Sequence, residues 1–308
     1  MNKKLVFSLA GFLLVAVISY ALGTGLFSNR GVTNNGKMLV SASFYPMYYF
    51  ASEIGRDKVE VLNVTPAGSE PHDYEPTPKD IANIEKGKLL ILNGGGLEPW
   101  GDAIKDNLKN SRVVIVTSGE DLISRNVDEE GKTIKDPHVW LDPLLAKKEV
   151  EKILTGFVSA DPNNKDFYQN NANDLLAKLD TLDGEYRQGL ASCQKAEIFT
   201  SHAAFGYLAA QYHLNQVAIS GISPDEEPSA QKLSEIANLA KEQNIKYIFF
   251  ESLVSPKLSE TIANEVGAKT LILDPIEGIA NSEISKGETY FTKMEANLAN
   301  LRIALECK

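Results

Sequence analysis

The sequence predicts an α/β protein of two lobes, each a parallel sheet flanked by helices, joined by one long rigid helix. Three observations carry this. Short apolar runs alternate with helix-like runs over residues 38–160, the pattern of a parallel sheet with crossover helices. The alternation restarts after residue 193. Between the two halves Tyr168, Ala172, Leu175, Leu176, Leu179, Leu182, Tyr186 and Leu190 recur mostly at steps of three and four. That spacing makes one apolar face along a helix of roughly 38 Å.

The first half begins with an extended run over residues 38–44, and Pro46 opens a helix ended by Gly55. Residues 59–65 form a second strand, followed by a proline loop and a helix over 79–85. Residues 89–92 run as a short buried-type strand into the turn Asn93-Gly94-Gly95-Gly96. A helix over 98–108 and a strand over 113–117 come next. Residues 121–136 are polar, lack an apolar period and read as a surface loop. A helix then continues to about Val158. Asp161-Pro162 starts the long helix, with an acidic cap and proline in the first turn. The second half reads as strands at 197–201, 216–220, 247–250 and 269–273. Helices fall at 203–212, 229–243, 256–266 and 285–305. The expected division is an N-terminal lobe over 38–160, a linking helix over 161–192 and a C-terminal lobe over 193–308.

Residues 1–27 are an address. Lys3 and Lys4 precede an uncharged, largely apolar run, the pattern of an export signal, and one long enough to span a bilayer. Cleaved signal peptide and retained membrane anchor both fit. No cysteine lies near it for lipid attachment. Residues 28–37 read as a flexible tether. Either way the body lies outside the cytoplasm, in the periplasm or at the cell surface. The chain has 308 residues and a net charge of −10, and beyond residue 37 it carries 27 basic and 41 acidic residues. Such a body repels nucleic acid and attracts cations. Cys193 and Cys307 are the only cysteines; in an exported chain an even count suggests one disulfide, the alternative being two unrelated buried side chains.

The chemistry concentrates in loops beside strands. Glu70-Pro71-His72-Asp73-Tyr74-Glu75-Pro76-Thr77-Pro78 has three prolines in nine residues, which forbids a helix and makes a rigid loop at a strand end. Asp136-Pro137-His138-Val139-Trp140-Leu141-Asp142-Pro143 is a second proline-bracketed histidine. His202 directly follows the 197–201 strand. Asp274 directly follows the 269–273 strand, in Asp274-Pro275-Ile276-Glu277-Gly278. Taken singly, each is more often a structural hydrogen-bonder or turn former than a metal ligand. Together His72, His138, His202 and Asp274 make a zinc-type set of imidazole and carboxylate, two from each lobe. Four protein ligands leave no position open for a reactive water, which argues for capture over catalysis. The chain has no His-Glu-x-x-His helix and no Gly-x-Ser-x-Gly elbow. His213, at a helix end, reads as an ordinary surface residue.

Tyr45-Pro46, the two proline–histidine loops, Ser201-His202-Ala203-Ala204-Phe205-Gly206-Tyr207 and Leu273-Asp274-Pro275 occur in one order. In this the chain resembles the zinc/manganese substrate-binding proteins of ABC importers, cluster A-I, from residue 38 to the C-terminus. The resemblance implies two α/β lobes bridged by a long helix. It implies His72, His138, His202 and Asp274 as ligands of a divalent ion between the lobes, and delivery to a membrane permease driven by a cytoplasmic ATPase. Three histidines and one carboxylate favour Zn2+ over Mn2+. Many zinc members carry a histidine-rich loop before the second ligand; residues 121–135 hold Asp128, Glu129 and Glu130 but no histidine. Asp73, Glu75, Asp142 and Glu251 are candidates to hold the outer nitrogens of the histidines. The expected molecule is a monomeric, non-enzymatic metal receptor whose lobes draw together slightly on binding. A zinc-dependent hydrolase using the same residues is the first alternative and a surface adhesin the second.

Overall fold

The computed structural model describes residues 36–129 and 132–308. The expected signal or anchor, and most of the tether, lie outside the described residues. Among the described residues no helix is long and apolar enough to cross a membrane.

The first half is a four-stranded parallel sheet in the order β2-β1-β3-β4. Its strands are β1 (Met38–Ala42), β2 (Val59–Asn63), β3 (Leu89–Leu92) and β4 (Val114–Thr117), and β3 is buried throughout. Helices α1 (Tyr45–Gly55), α2 (Pro78–Lys86) and α3 (Gly101–Leu108) connect them. Thr77 starts α2 with a reciprocal cap: its side chain accepts from Asp80 N–H, and the Asp80 carboxylate accepts from Thr77 N–H. That cap fixes where the proline loop ends and the helix begins.

Residues 126–135, expected to be irregular, instead pair as an antiparallel hairpin, β5 (Asn126–Glu129) with β6 (Lys132–Lys135). Val127 faces Ile134 across it, two apolar residues too few to register as a period. Then come α4 (Pro143–Ala160) and α5 (Lys165–Leu190). The proline at the predicted start of the long helix belongs to a separate 3-10 turn, Pro162–Asn164.

The second half contains β7 (Glu197–Thr200), α6 (Gly206–Gln211), β8 (Asn215–Ala218), α7 (Ala230–Glu242), β9 (Tyr247–Phe250), α8 (Lys257–Val266) and β10 (Lys269–Ile272), then α9 (Asn281–Ile284) and α10 (Tyr290–Ala304). Its strands form two parallel pairs, β7 with β8 and β9 with β10. The predicted final helix over 285–305 begins later, because Gly287 turns the chain at φ +88°. Helix α6 also starts later than expected: residues 202–205 form a turn in which Thr200 Oγ1 donates to the His202 carbonyl.

The long helix has 26 residues, roughly 39 Å, and backs both halves. It buries Tyr168, Ala172, Leu175, Leu179, Leu182, Tyr186 and Leu190, all but one of the positions the spacing predicts. Near its start Asn171 donates to the Ile54 carbonyl of α1; near its end Tyr186 donates to the Met294 carbonyl of α10. One apolar cluster therefore runs without a break from Phe44 and Phe50 through Leu179 to Met294 and Leu301. Truncating a central member such as Leu179 to Ala costs about 2–5 kcal/mol. Cys193, just past this helix, is disulfide-bonded to Cys307, which staples the C-terminus to it.

Candidate metal centre

The site forms where loops from both halves meet over that core. His72 arrives on the proline loop after β2. His138 stands at the head of a 3-10 turn, Val139–Leu141, just before α4. His202 follows β7. These three histidines converge, and the fourth group among them is Glu277.

Asp274, the expected fourth member, is not in the cluster. Its carboxylate is already engaged: Oδ2 accepts from Lys293 Nζ at 3.0 Å and Ser252 Oγ at 2.7 Å, and Oδ1 accepts from Ile276 N–H at 2.8 Å. Lys293 also pairs with Glu283 at 2.7 Å. The correction has a local cause. Ile276 sits at φ +60°, a conformation costly for a β-branched residue, and this turn swings Glu277 into the position that the sequence assigns to Asp274.

The geometry of the four groups is tight. Nε2 of His138 lies 3.4 Å from Nε2 of His72 and 3.4 Å from Nε2 of His202. Glu277 Oε1 lies 3.3 Å from His72, 3.1 Å from His138 and 3.4 Å from His202. A tetrahedron with zinc–ligand bonds of about 2.0–2.1 Å has edges of roughly 3.3–3.4 Å. Four of these separations match the zinc value, and the His138–Glu277 distance is slightly shorter. His138, His202 and Glu277 are fully buried, and His72 is nearly so.

Two of the histidines are held in the same way. Asp136 Oδ1 accepts from the His138 backbone N–H at 3.1 Å and lies 2.9 Å from its Nδ1. Glu251 Oε1 accepts from the His202 backbone N–H at 3.2 Å and lies 2.7 Å from its Nδ1. An acceptor at Nδ1 places the ring proton there and leaves the Nε2 lone pair for the centre. Of the four carboxylates the sequence suggests for this role, Glu251 fills it. Asp142 instead caps α4 at Leu144 N–H, and Asp73 and Glu75 are exposed. Asp136 was missed, although its place two residues before a histidine is a signal for such a local bond. Tyr207 donates to the Asp136 carbonyl at 3.0 Å, bringing α6 onto this loop. A Cβ at Gly206 would fall 2.7 Å from Asp136 Oδ2, so that approach requires glycine.

The charges follow from burial and contact. Burial opposes the charged rings of His138 and His202. For His138 the carboxylates Asp136 and Glu277 outweigh it, and for His202 Glu251 and Glu277 do, so both are raised. Burial likewise opposes the Glu277 carboxylate, but His202, His138 and His72 hold it well below the usual range. His72 has no such outer carboxylate, and desolvation lowers it. Glu70, desolvated beside Glu277, is pushed up to about 10. The centre thus keeps one carboxylate ionised among imidazoles whose Nε2 atoms face inward, held by protons that a divalent cation can displace.

The comparisons agree with this geometry. Residues 40–304 match the family model described as ZnuA, zinc-uptake complex component A, periplasmic. The chain is 41% identical over 310 residues to the high-affinity zinc uptake system protein ZnuA of Bacillus subtilis strain 168, covering 97% of this chain and 96% of that one. It is 33% identical over 326 residues to the zinc-binding protein AdcA of Streptococcus pyogenes serotype M1, covering 99% of this chain but only 62% of AdcA. Among solved structures, the Zn(II)-bound ZnuA-like domain of Streptococcus pneumoniae AdcA superposes with a TM-score of 0.77 at 36% identity, covering 88% of this chain and 100% of the domain. Fold, centre and sequence therefore agree, and the chain belongs to the ZnuA family of zinc-uptake substrate-binding proteins.

Proposed function

We propose that this protein captures a single Zn2+ ion outside the cytoplasm through His72, His138, His202 and Glu277, and delivers it to an ABC permease with a cytoplasmic ATPase. The observation that carries the ligand assignment is the set of 3.1–3.4 Å separations among the four donors, which fits tetrahedral zinc. Mn2+ favours more oxygen donors and a larger coordination number, so three imidazoles argue against it. The ion is cargo. It sheds its water for three neutral rings and one carboxylate, and four protein donors leave no site for an activated water, which supports transport over hydrolysis. The ends of α4 at Ala160 and of α5 at Leu190 support a division into lobes near residues 160 and 193. A monomer suits a receptor that presents its ion to a separate permease.

The test is metal content together with thermal melting. Protein purified without chelator should carry one zinc per chain. Added zinc should raise the melting temperature, and His72→Ala/His202→Ala should abolish the rise. No zinc-dependent shift in the unaltered protein removes the proposal.

A further inference from the structure

The Glu277 loop is restrained from the opposite lobe. A single peptide plane, Pro275–Ile276, is held at both ends. Its carbonyl accepts from Trp140 Nε1 at 2.8 Å, and its N–H donates to Asp274 Oδ1 at 2.8 Å. Trp140 lies two residues beyond His138, and its ring packs against the His138 ring at 5.2 Å. The indole is fully buried and edge-on to Phe44 at 4.7 Å, and the Trp140 backbone carbonyl accepts from Tyr290 Oη at 2.6 Å.

These contacts matter because the pinned peptide leads directly into a strained residue and then the carboxylate donor. Ile276, at φ +60°, holds a conformation that costs about 1–3 kcal/mol and persists only when its surroundings enforce it. Rotation of the Pro275–Ile276 peptide would relieve that strain. It would also carry Glu277, the next residue, away from the three histidines. Asp274 belongs to the same loop and turns with it. The indole does not: it is anchored in the apolar cluster that the two halves share, on the turn that bears His138.

We propose that Trp140 is a positioning residue for zinc binding: its indole N–H prevents rotation of the Pro275–Ile276 peptide and so fixes Glu277 relative to His138 across the lobe boundary. This rests on the zinc reading of the site and adds a residue that touches no metal. The N–H reaches the loop through its backbone, so it acts on Glu277 without contact to any of the four donors.

The experiment compares Trp140→Phe, which keeps a ring but loses the donor, with Trp100→Phe, a buried tryptophan in the other apolar cluster of the first half. Zinc affinity is measured by competition with a chromophoric chelator, and donor geometry by the visible absorption of cobalt(II) in place of zinc. Trp140→Phe should bind zinc about 10–100-fold more weakly and alter the cobalt spectrum, the range for losing a group that orients a ligand. Trp100→Phe should lower the melting temperature without either change. Should Trp140→Phe fail to fold, benzothienylalanine at position 140, isosteric but lacking the N–H, makes the same test. Unchanged affinity and cobalt spectrum for the donor-deleted protein, or equal changes in Trp100→Phe, overturn the proposal while leaving the zinc reading intact. Failure of the unaltered protein to bind zinc overturns that reading instead.

Discussion

His202 Nδ1 lies 2.7 Å from Glu251 Oε1, and both side chains are shielded from solvent. The ring enters from the turn after β7 and the carboxylate from the end of β9, so two neighbouring strands of the second half set one ligand. Replacing Glu251 by Ala removes the acceptor that fixes ring orientation and tautomer. Zinc affinity should fall about 10–100-fold, measured by chelator competition. Affinity within twofold of the unaltered protein would show that the contact does not orient the ring.

Glu277 and Asp274 should separate cleanly in mutants. Glu277→Gln removes the only carboxylate among the four donors and should weaken zinc binding more than about 100-fold, while the zinc-free fold persists. Asp274→Asn leaves Lys293 buried with one fewer anionic partner. It should lower the zinc-free melting temperature, equivalent to about 1–3 kcal/mol, with a smaller affinity loss than Glu277→Gln. The reverse order would return Asp274 to the centre.

Zinc binding should strengthen with pH, and the sign follows from the shifts. The carboxylates around His138 and His202 raise both above 6.5 when no cation competes with the proton. Their protonation stabilises the zinc-free fold below the unfolded value, and that contribution is lost as pH rises through the folded values. Glu277 is depressed, so its contribution is present above the unfolded value of about 4.3 and is lost only in stronger acid. Zinc must displace the histidine protons. Protons should therefore leave as the ion binds, read by calorimetry in buffers of different ionisation heat. The melting increment produced by zinc should grow between about pH 5.5 and 8. A flat increment contradicts the charge assignment.

Glu149 makes a prediction away from the metal. It is fully buried on α4; Ser118 Oγ donates to its Oε1 at 3.1 Å, while Oε2 has no partner. Burial pushes its carboxyl up to about 8. A raised acid favours the fold while protonated, and that advantage is lost as pH climbs from about 4.5 through 8. Glu149→Gln is neutral throughout, so it should melt higher than the unaltered protein at about pH 8, by an equivalent of about 1–4 kcal/mol. The two should converge near pH 4.5. A lower melting point for the variant at pH 8 would mean that the ionised form is accommodated.

The two-lobe architecture was legible because Tyr168 through Leu190 kept their period and the strands on either side were short and bounded by turns. His72, His138 and His202 were legible for a related reason: prolines, or the end of a strand, made their loops rigid. Glu277 was not. It and Asp274 sit three residues apart in one loop, and only two facts distinguish them. Lys293, on a helix nineteen residues away, occupies the Asp274 carboxylate, and Ile276 adopts a backbone angle that its residue type disfavours. Neither fact follows from local sequence. The hairpin over 126–135 escaped notice because Val127 and Ile134 form its one facing apolar pair.

The unbroken apolar cluster shared by the two halves constrains how cargo can leave. Swinging the halves apart far enough to uncover about 400 Å2 of nonpolar surface would cost about 10 kcal/mol. A wide jaw motion is therefore a poor route to unloading. Loops that carry the donors could instead rearrange while the shared cluster stays whole, and on that route filled and empty molecules would keep nearly the same outline. A transporter that distinguishes them must then sense the arrangement of a few surface turns, with little help from overall shape.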